Sequence, residues 1–152
     1  SSVSCIISKL SATARALRQL GYVRPRIGVS GVNPHAGESG LFGTDEIERI
    51  APAIEACRGE DIELIGPIGA DTLLPRSDCD AFVVMLHDQG HVPAKLMAKH
   101  GAAALSIGTP VLFSSVGHGT AMDIAGQNKA SPEAMVQALM QVTHMHSRGA
   151  NQ

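Results

Sequence analysis

Residues 81–86 read AFVVML, an unbroken apolar run, and residues 87–91 read HDQGH directly after it. A short apolar run with no polar face is what a strand covered on both sides requires, and such strands belong to parallel sheets layered between helices. Working outward, two further β-like runs precede it, at 26–32 (RIGVSGV) and 62–68. Between them lies a helical stretch, 44–57, with Thr44 as its N-cap, Asp45 and Glu46 at its positive end, and Ile47, Ile50, Ala51 and Ile54 on one face. Upstream, Ile6, Ile7, Leu10, Ala14, Leu17 and Leu20 form a helical stripe that Gly21 stops. Downstream, a helix is expected from about Pro93 to Gly101, carrying Leu96 and Met97. Strands are expected at 103–107 and 111–116. A last helix is expected from Ser131, Pro132 and Glu133, burying Met135, Ala138, Leu139 and Val142. Strands alternating with helices predict an α/β fold: a largely parallel layered sheet with flanking helices.

The chain has 152 residues, one domain's worth, and 44% of them are apolar, enough for a hydrophobic core. A net charge of −2 and 3% aromatic content give no basis for binding nucleic acid. No segment is long and apolar enough for a membrane span, and no secretory leader is visible, so a cytoplasmic protein is expected. Cys5, Cys57 and Cys79 are odd in number and lack a C-x-x-C spacing, which reads as free thiols rather than a disulfide frame or zinc site. The domain assignment is 1–148, with a frayed tail at 149–152.

In open α/β sheets, ligands bind beyond the carboxyl ends of the strands. Three polar clusters fall there: 33–38 (NPHAGE), 87–91 (HDQGH) and 117–120 (GHGT). His35 and His87 are candidate metal ligands, since imidazole is a common one. Their spacing matches no local metal motif, and the competing reading has each imidazole bonding backbone at a strand end. His91 lies beside the second cluster. His100, His144 and His146 read as ordinary helix-end residues. Lys95, eight residues past His87, is placed near the first turn of a helix, either on a solvated face or holding an anionic substrate. Residues 117–132 (GHGTAMDIAGQNKASP) form a glycine-rich loop, but Met122 stands where the third glycine of a dinucleotide fingerprint would be. Asp123 there is either a ribose ligand or a turn cap.

Taken together, 33–38 (NPHAGE), 66–73 (GPIGADTL), 85–90 (MLHDQG) and 118–126 (HGTAMDIAG) occur in the order and spacing of the 4-hydroxythreonine-4-phosphate dehydrogenase family. The resemblance covers nearly all of residues 22–140. It implies the fold of the isocitrate and isopropylmalate dehydrogenases. It also implies metal ligation by His35 and His87, and places Lys95 on the substrate, with Lys95 and Asp88 as the candidate catalytic residues. His118, Gly119, Thr120, Asp123 and Asn128 fall in a loop, 118–132, that resembles the one binding the adenosine end of NAD. The implied cation is a divalent metal: zinc first, with cobalt, nickel or manganese also suited to histidine. NAD is expected over NADP because that loop has no arginine for a 2′-phosphate, Lys129 being its one candidate cation. A homodimer is expected as well.

The family's third metal-binding histidine would fall before Ser1, and family members are roughly twice this length by the usual size of two-domain chains. The sequence is therefore expected to be the C-terminal half of a two-domain enzyme, with metal and substrate motifs at 22–100 and the cofactor loop at 117–132. It also departs from the phosphorylated-threonine enzymes. Ala104 and Phe113 stand where those place an asparagine and an arginine on the substrate, and Gly117 replaces an aspartate. Phenylalanine cannot replace an arginine fork. The forms SSVGHGTAMDIAG and HDQGHVPAKL are similar to those of terephthalate dihydrodiol dehydrogenases. The implied activity is NAD- and metal-dependent oxidation, with decarboxylation, of a carboxylated cis-dihydrodiol. The alternatives are a phosphorylated hydroxy-acid dehydrogenase, or a catalytically incomplete chain that only dimerises or binds nucleotide.

Overall fold

The computed structural model describes residues 2–59, 61–98, 102–109, 113–117 and 119–149. The chain divides into two compact units, Ser1–Gly90 and His91–Gln152.

In the first unit, α1 (Val3–Gln19) is held at its start by Ser2, whose side chain accepts from the Cys5 amide. It ends as expected at Gly21: the Tyr22 amide reaches back to the Leu17 carbonyl and the Gly21 amide to that of Arg18, a Schellman closure that needs the left-handed φ of 107° at Gly21. Ile6, Leu10, Ala14 and Leu17 form its buried stripe. The strands β1 (Arg26–Ser30), β2 (Glu63–Ile68) and β3 (Ala81–Val83) make a parallel sheet in the order β2-β1-β3. Side chains alternate across β1. Ile27 and Val29 join the core formed by α1, α2 (Ala51–Ala56) and Leu64. On the opposite face, a Cβ at Gly28 would lie 2.8 Å from the Leu73 side chain of α3 (Ala70–Leu73), so β1 is covered on both sides. The layered α/β class read from the sequence is thus the observed one.

Several local expectations shift. The helical segment before α2 opens with a π turn, Glu46–Ile50, where the Ala51 amide reaches the Glu46 carbonyl. Pro52 has no N–H to give to the ladder just there. The wider turn rotates the apolar face, so Ala53 is buried beside Ile50 and Ile54 while Ile47 is exposed. AFVVML gives a strand only over Ala81–Val83, and it is half-buried rather than covered on both faces. Backbone pairing ends at Val83 opposite Val29; past it the Met85 amide donates to the Ser30 hydroxyl and to Gln89 Oε1, and the Leu86 amide to Gln89 Oε1. The helix expected from Pro93 begins six residues earlier: α4 (His87–Met97) contains the whole HDQGH cluster, and Pro93 lies inside it.

In the second unit, β4 (Ala103–Ser106) and β5 (Phe113–Val116) pair antiparallel, not parallel. The connection between them is far shorter than the dozen or so residues that a parallel crossover needs. Residues 111 and 112 of the expected strand lie outside the described residues. The last helix, α5 (Glu133–Gly149), starts where expected, with Ser131 accepting from the Glu133 amide. It buries Ala134 and Ala138, whereas Met135 and Leu139 are exposed and Val142 is half-buried. The reason is close approach: the Ser114 hydroxyl of β5 bonds the Ala138 carbonyl at 3.3 Å, which leaves room only for small side chains on that face. The helix runs to Gly149, past the point where a frayed tail was expected.

Candidate functional site

The carboxyl ends of β1 and β3, neighbours in the first unit's sheet, carry the two histidine clusters. After β1 the chain enters a turn, Pro34–Gly40, whose residues 35–39 all have left-handed φ/ψ: φ is 53° at His35, 53° at Ala36, 80° at Gly37, 42° at Glu38 and 57° at Ser39. Left-handed backbone costs roughly 1–2 kcal/mol per non-glycine residue, so the surroundings must hold this turn. Glu46 does so. Its carboxylate is buried at 3% exposure and accepts from the Val32 amide (2.7 Å), the Asn33 amide (2.8 Å) and the Asn33 side-chain amide (2.9 Å). Burial pushes the Glu46 carboxyl's pKa up, but the hydrogen bonds from Asn33 and Val32 outweigh it and hold the group below its usual value. Gly31 makes this grip possible, because a Cβ there would sit 2.8 Å from Glu46 Oε1 and 2.9 Å from Ala36 Cα. The exposed His35 ring rests near Phe42, with centroids 6.1 Å apart.

On the β3 side, Gln89 plays a matching part. Its Nε2 donates to the Gly31 carbonyl (3.0 Å), and its Oε1 accepts from the amides of Met85 and Leu86 (3.0 Å each) and from the Ser30 hydroxyl (3.3 Å). His87 opens α4, exposed, with Nδ1 2.8 Å from Asp88 Oδ1. A carboxylate on one ring nitrogen is the kind of partner that orients a ligating histidine. The donor set suits a divalent cation in kind, but among the described residues no group of three or more His, Cys, Asp or Glu is arranged to hold one. Two imidazoles are one short of the usual catalytic set. The three cysteines are free.

The remaining candidates are less gathered. Lys95 is exposed in the last turn of α4, not the first as expected, so the helix's positive end does not reinforce its charge there. His91 is exposed on α4. In the second unit, Gly119, Thr120, Asp123 and Asn128 lie on an exposed stretch with one short turn, Met122–Ile124. Asn128 is left-handed (φ 54°), and the Asp123 carbonyl accepts from the Gln127 side chain at 2.9 Å. His118 and His100 lie outside the described residues, as do the side chains of His144 and His146.

Sequence reasoning missed Gln89 and Ser30, and read Glu46 only as a helix-end charge. The signal for Gln89 was its place inside HDQG. Glu46 had none, because its bonds span the left-handed turn.

A family model described as pyridoxal phosphate biosynthetic protein PdxA matches residues 2–142. The 1,2-dihydroxy-3,5-cyclohexadiene-1,4-dicarboxylate dehydrogenase of a Comamonas species is 45% identical over 134 residues, which are 88% of this chain and 42% of that one. The D-threonate 4-phosphate dehydrogenase of Cupriavidus necator is also 45% identical, over 140 residues, 90% of this chain and 42% of that one. The crystal structure of 4-hydroxythreonine-4-phosphate dehydrogenase from Klebsiella pneumoniae superposes with a TM-score of 0.81 at 41% identity, covering 95% of this chain and 44% of that one. The chain therefore spans less than half the length of these relatives.

Proposed function

The chain belongs to the family of the pyridoxal phosphate biosynthetic protein PdxA, and on that premise we propose that it serves an NAD-dependent, divalent-metal-dependent dehydrogenase that oxidises a carboxylated cis-dihydrodiol with loss of carbon dioxide. The observation that carries the substrate choice is on the β4–β5 hairpin. Ala104 pairs with Ser115 and Ser106 with Phe113, so Ala104, Ser106, Phe113 and Ser115 share one face, opposite the face that meets α5. Ala104 and Phe113 are exposed on it. In the phosphorylated-threonine enzymes that the sequence resembles, those two positions carry an asparagine and an arginine toward substrate. Here those two positions carry a methyl group and a phenyl ring beside the hydroxyls of Ser106 and Ser115, with no cation among the four, which suits a carbocyclic ring better than a phosphate. Among named relatives, the Comamonas dehydrogenase acts on a cyclohexadiene diol dicarboxylate.

A bound divalent cation supplies the positive charge that lowers a hydroxyl's pKa, and NAD supplies the hydride acceptor. His35 and His87 would hold the cation, with Asp88 orienting the His87 ring. Lys95 would meet a substrate carboxylate. His118, Gly119, Thr120, Asp123 and Asn128 would line the adenosine end of NAD. The hydroxyl-bearing carbon gives up a hydride and its oxygen a proton. The carboxylate on the adjacent carbon then leaves as carbon dioxide, its bonding electrons forming an enolate whose oxygen takes up a proton, and the ring becomes a catechol acid. Zinc is the cation the histidines suit best, with cobalt, nickel or manganese as alternatives. A homodimer and a cytoplasmic location complete the proposal. Met135, Val136, Leu139 and Met140 expose apolar surface on α5, and no helix of the described residues is long and apolar enough to cross a membrane.

A second reading, a phosphorylated hydroxy-acid dehydrogenase, is favoured by the equal 45% identity to the D-threonate 4-phosphate enzyme. An NADH absorbance assay of the full-length protein with added divalent metal separates the two. Turnover of a carboxylated cis-dihydrodiol, lost in chelator and in His87→Ala, supports the first. Turnover of a phosphorylated hydroxy acid alone replaces it with the second.

A further inference from the structure

Residues 30–33 at the end of β1 are gripped from two sides. Glu46 takes the amides of Val32 and Asn33 together with the Asn33 side chain. Gln89 takes the Gly31 carbonyl and the Ser30 hydroxyl, and through Oε1 also the amides of Met85 and Leu86. One grip closes the base of the left-handed turn that carries His35, and the other ties the start of α4, which carries His87, to the same four residues.

We propose that Glu46 and Gln89 are positioning residues that fix the His35 and His87 imidazoles relative to one another through the shared frame of residues 30–33. The proposal rests on the reading of those histidines as a metal pair. Neither residue offers a donor atom to a cation itself: both Glu46 oxygens and both polar atoms of the Gln89 side chain are engaged with the frame or its flanking amides. The left-handed run from His35 to Ser39 has no intrinsic preference to persist. Without the Glu46 clamp it relaxes, and His35 moves with it. Without Gln89 the Leu86 amide loses its acceptor and the Met85 amide keeps only the Ser30 hydroxyl at 3.2 Å, so the entry to α4 is held to β1 by one bond instead of a network. Groups that orient metal ligands typically change affinity about 10–100-fold when removed.

The test measures zinc affinity of the full chain by competition with a chromogenic chelator, alongside amide hydrogen exchange and the ring-current shift that Phe42 imposes on the His35 protons. The variants are Glu46→Ala, Glu46→Gln and Gln89→Met, with His35→Ala and His87→Ala as references. Glu46→Ala is expected to weaken zinc about tenfold or more, expose the Val32 and Asn33 amides to exchange, and add nothing to the loss in His35→Ala. Gln89→Met is expected to do the same for the Leu86 amide, which has Gln89 as its acceptor, and relative to His87→Ala. Glu46→Gln keeps an acceptor for the two amides and is expected to restore most of the affinity. Folded variants that lose amide protection yet bind zinc like the wild type overturn the proposal. If His35→Ala and His87→Ala leave zinc affinity unchanged, the metal reading fails, and an unshifted His35 ring signal in Glu46→Ala then overturns the positioning role as well. Should Glu46→Ala not fold, Gln89→Met carries the test.

Discussion

His87 Nδ1 lies 2.8 Å from Asp88 Oδ1, the imidazole donating and the carboxylate accepting. The bond orients the imidazole ring through its Nδ1 side. Asp88→Ala removes that acceptor, and a loss of about tenfold in metal affinity is expected, with Asp88→Asn keeping most of it through its carbonyl oxygen. Chelator competition on the two variants measures this. Equal affinity for wild type and Asp88→Ala would remove Asp88 from the site.

Glu46 predicts an acid limb in the stability curve. Its folded-state pKa is held below the usual 4.5 by the hydrogen bonds it accepts, despite burial. A depressed carboxylate pKa contributes stability that is fully present above the unfolded value and lost as pH falls through the folded one. Thermal denaturation from pH 7 to 3 should therefore show a fall in Tm below about 4.5 that Glu46→Gln flattens. An unchanged acid limb in that variant would show the contribution to come from other carboxylates.

Gly31 sets the spacing of the clamp. An alanine Cβ there would meet Glu46 Oε1 at 2.8 Å and the Ala36 backbone at 2.9 Å, and the backbone neighbour cannot rotate away. Gly31→Ala is expected to cost about 1–3 kcal/mol in chemical denaturation, the range for overpacking a close-fitted position. It should also expose the Asn33 amide to exchange. A loss below about 0.5 kcal/mol, the usual size of a neutral surface change, would mean the turn shifts freely.

What the sequence made legible follows from which interactions are periodic. The α1 stripe, the β1 and β2 runs and the Ser131 cap were readable because each repeats a local pattern or sits at a fixed offset. The clusters NPHAGE and HDQGH were readable as polar breaks after apolar strands, and they do lie at the ends of neighbouring strands. The errors arose where a non-periodic local interaction, a side chain accepting from nearby amides or a wider helical turn, replaced the repeating pattern. The Ser30 hydroxyl and Gln89 take the amides past β3, and α4 starts early, which moves Lys95 from the first turn to the last. The π turn at Glu46–Ile50 re-phased a helix whose apolar spacing had looked regular. On α5, Ala138 rather than Leu139 faces the hairpin because backbone approach, not hydrophobicity, selects the side chain there.

The α5 surface bears on assembly. Met135, Val136, Leu139 and Met140 are about half exposed, a run of large apolar side chains on the side turned away from Ala134 and Ala138. Burying such side chains is worth roughly 1.5–3 kcal/mol each when complete. If they meet a second copy, Leu139→Asp should convert a dimer into monomer by light scattering while leaving the helix content unchanged. A wild-type monomer at the same concentration would end the homodimer proposal.

The hairpin face offers the sharpest test of substrate choice, because it asks for a gain rather than a loss. Phe113 and Ser106 are cross-strand partners, and Ala104 lies on the same face. An arginine at 113 presents a planar fork that binds phosphate by two parallel hydrogen bonds, and an asparagine at 104 adds a neutral donor beside it. In the full-length protein, Phe113→Arg with Ala104→Asn is expected to raise kcat/KM for a phosphorylated hydroxy acid by about tenfold or more, the value of one charge-assisted hydrogen bond. It should lower that for a carboxylated dihydrodiol by a similar factor, as the ring loses its apolar contact. Because both substituted residues are exposed, the change should leave Tm within a few degrees of the wild type. A double variant that is folded but unchanged toward both substrates would mean that this face does not meet the substrate, and the choice between the two chemistries would pass to residues elsewhere.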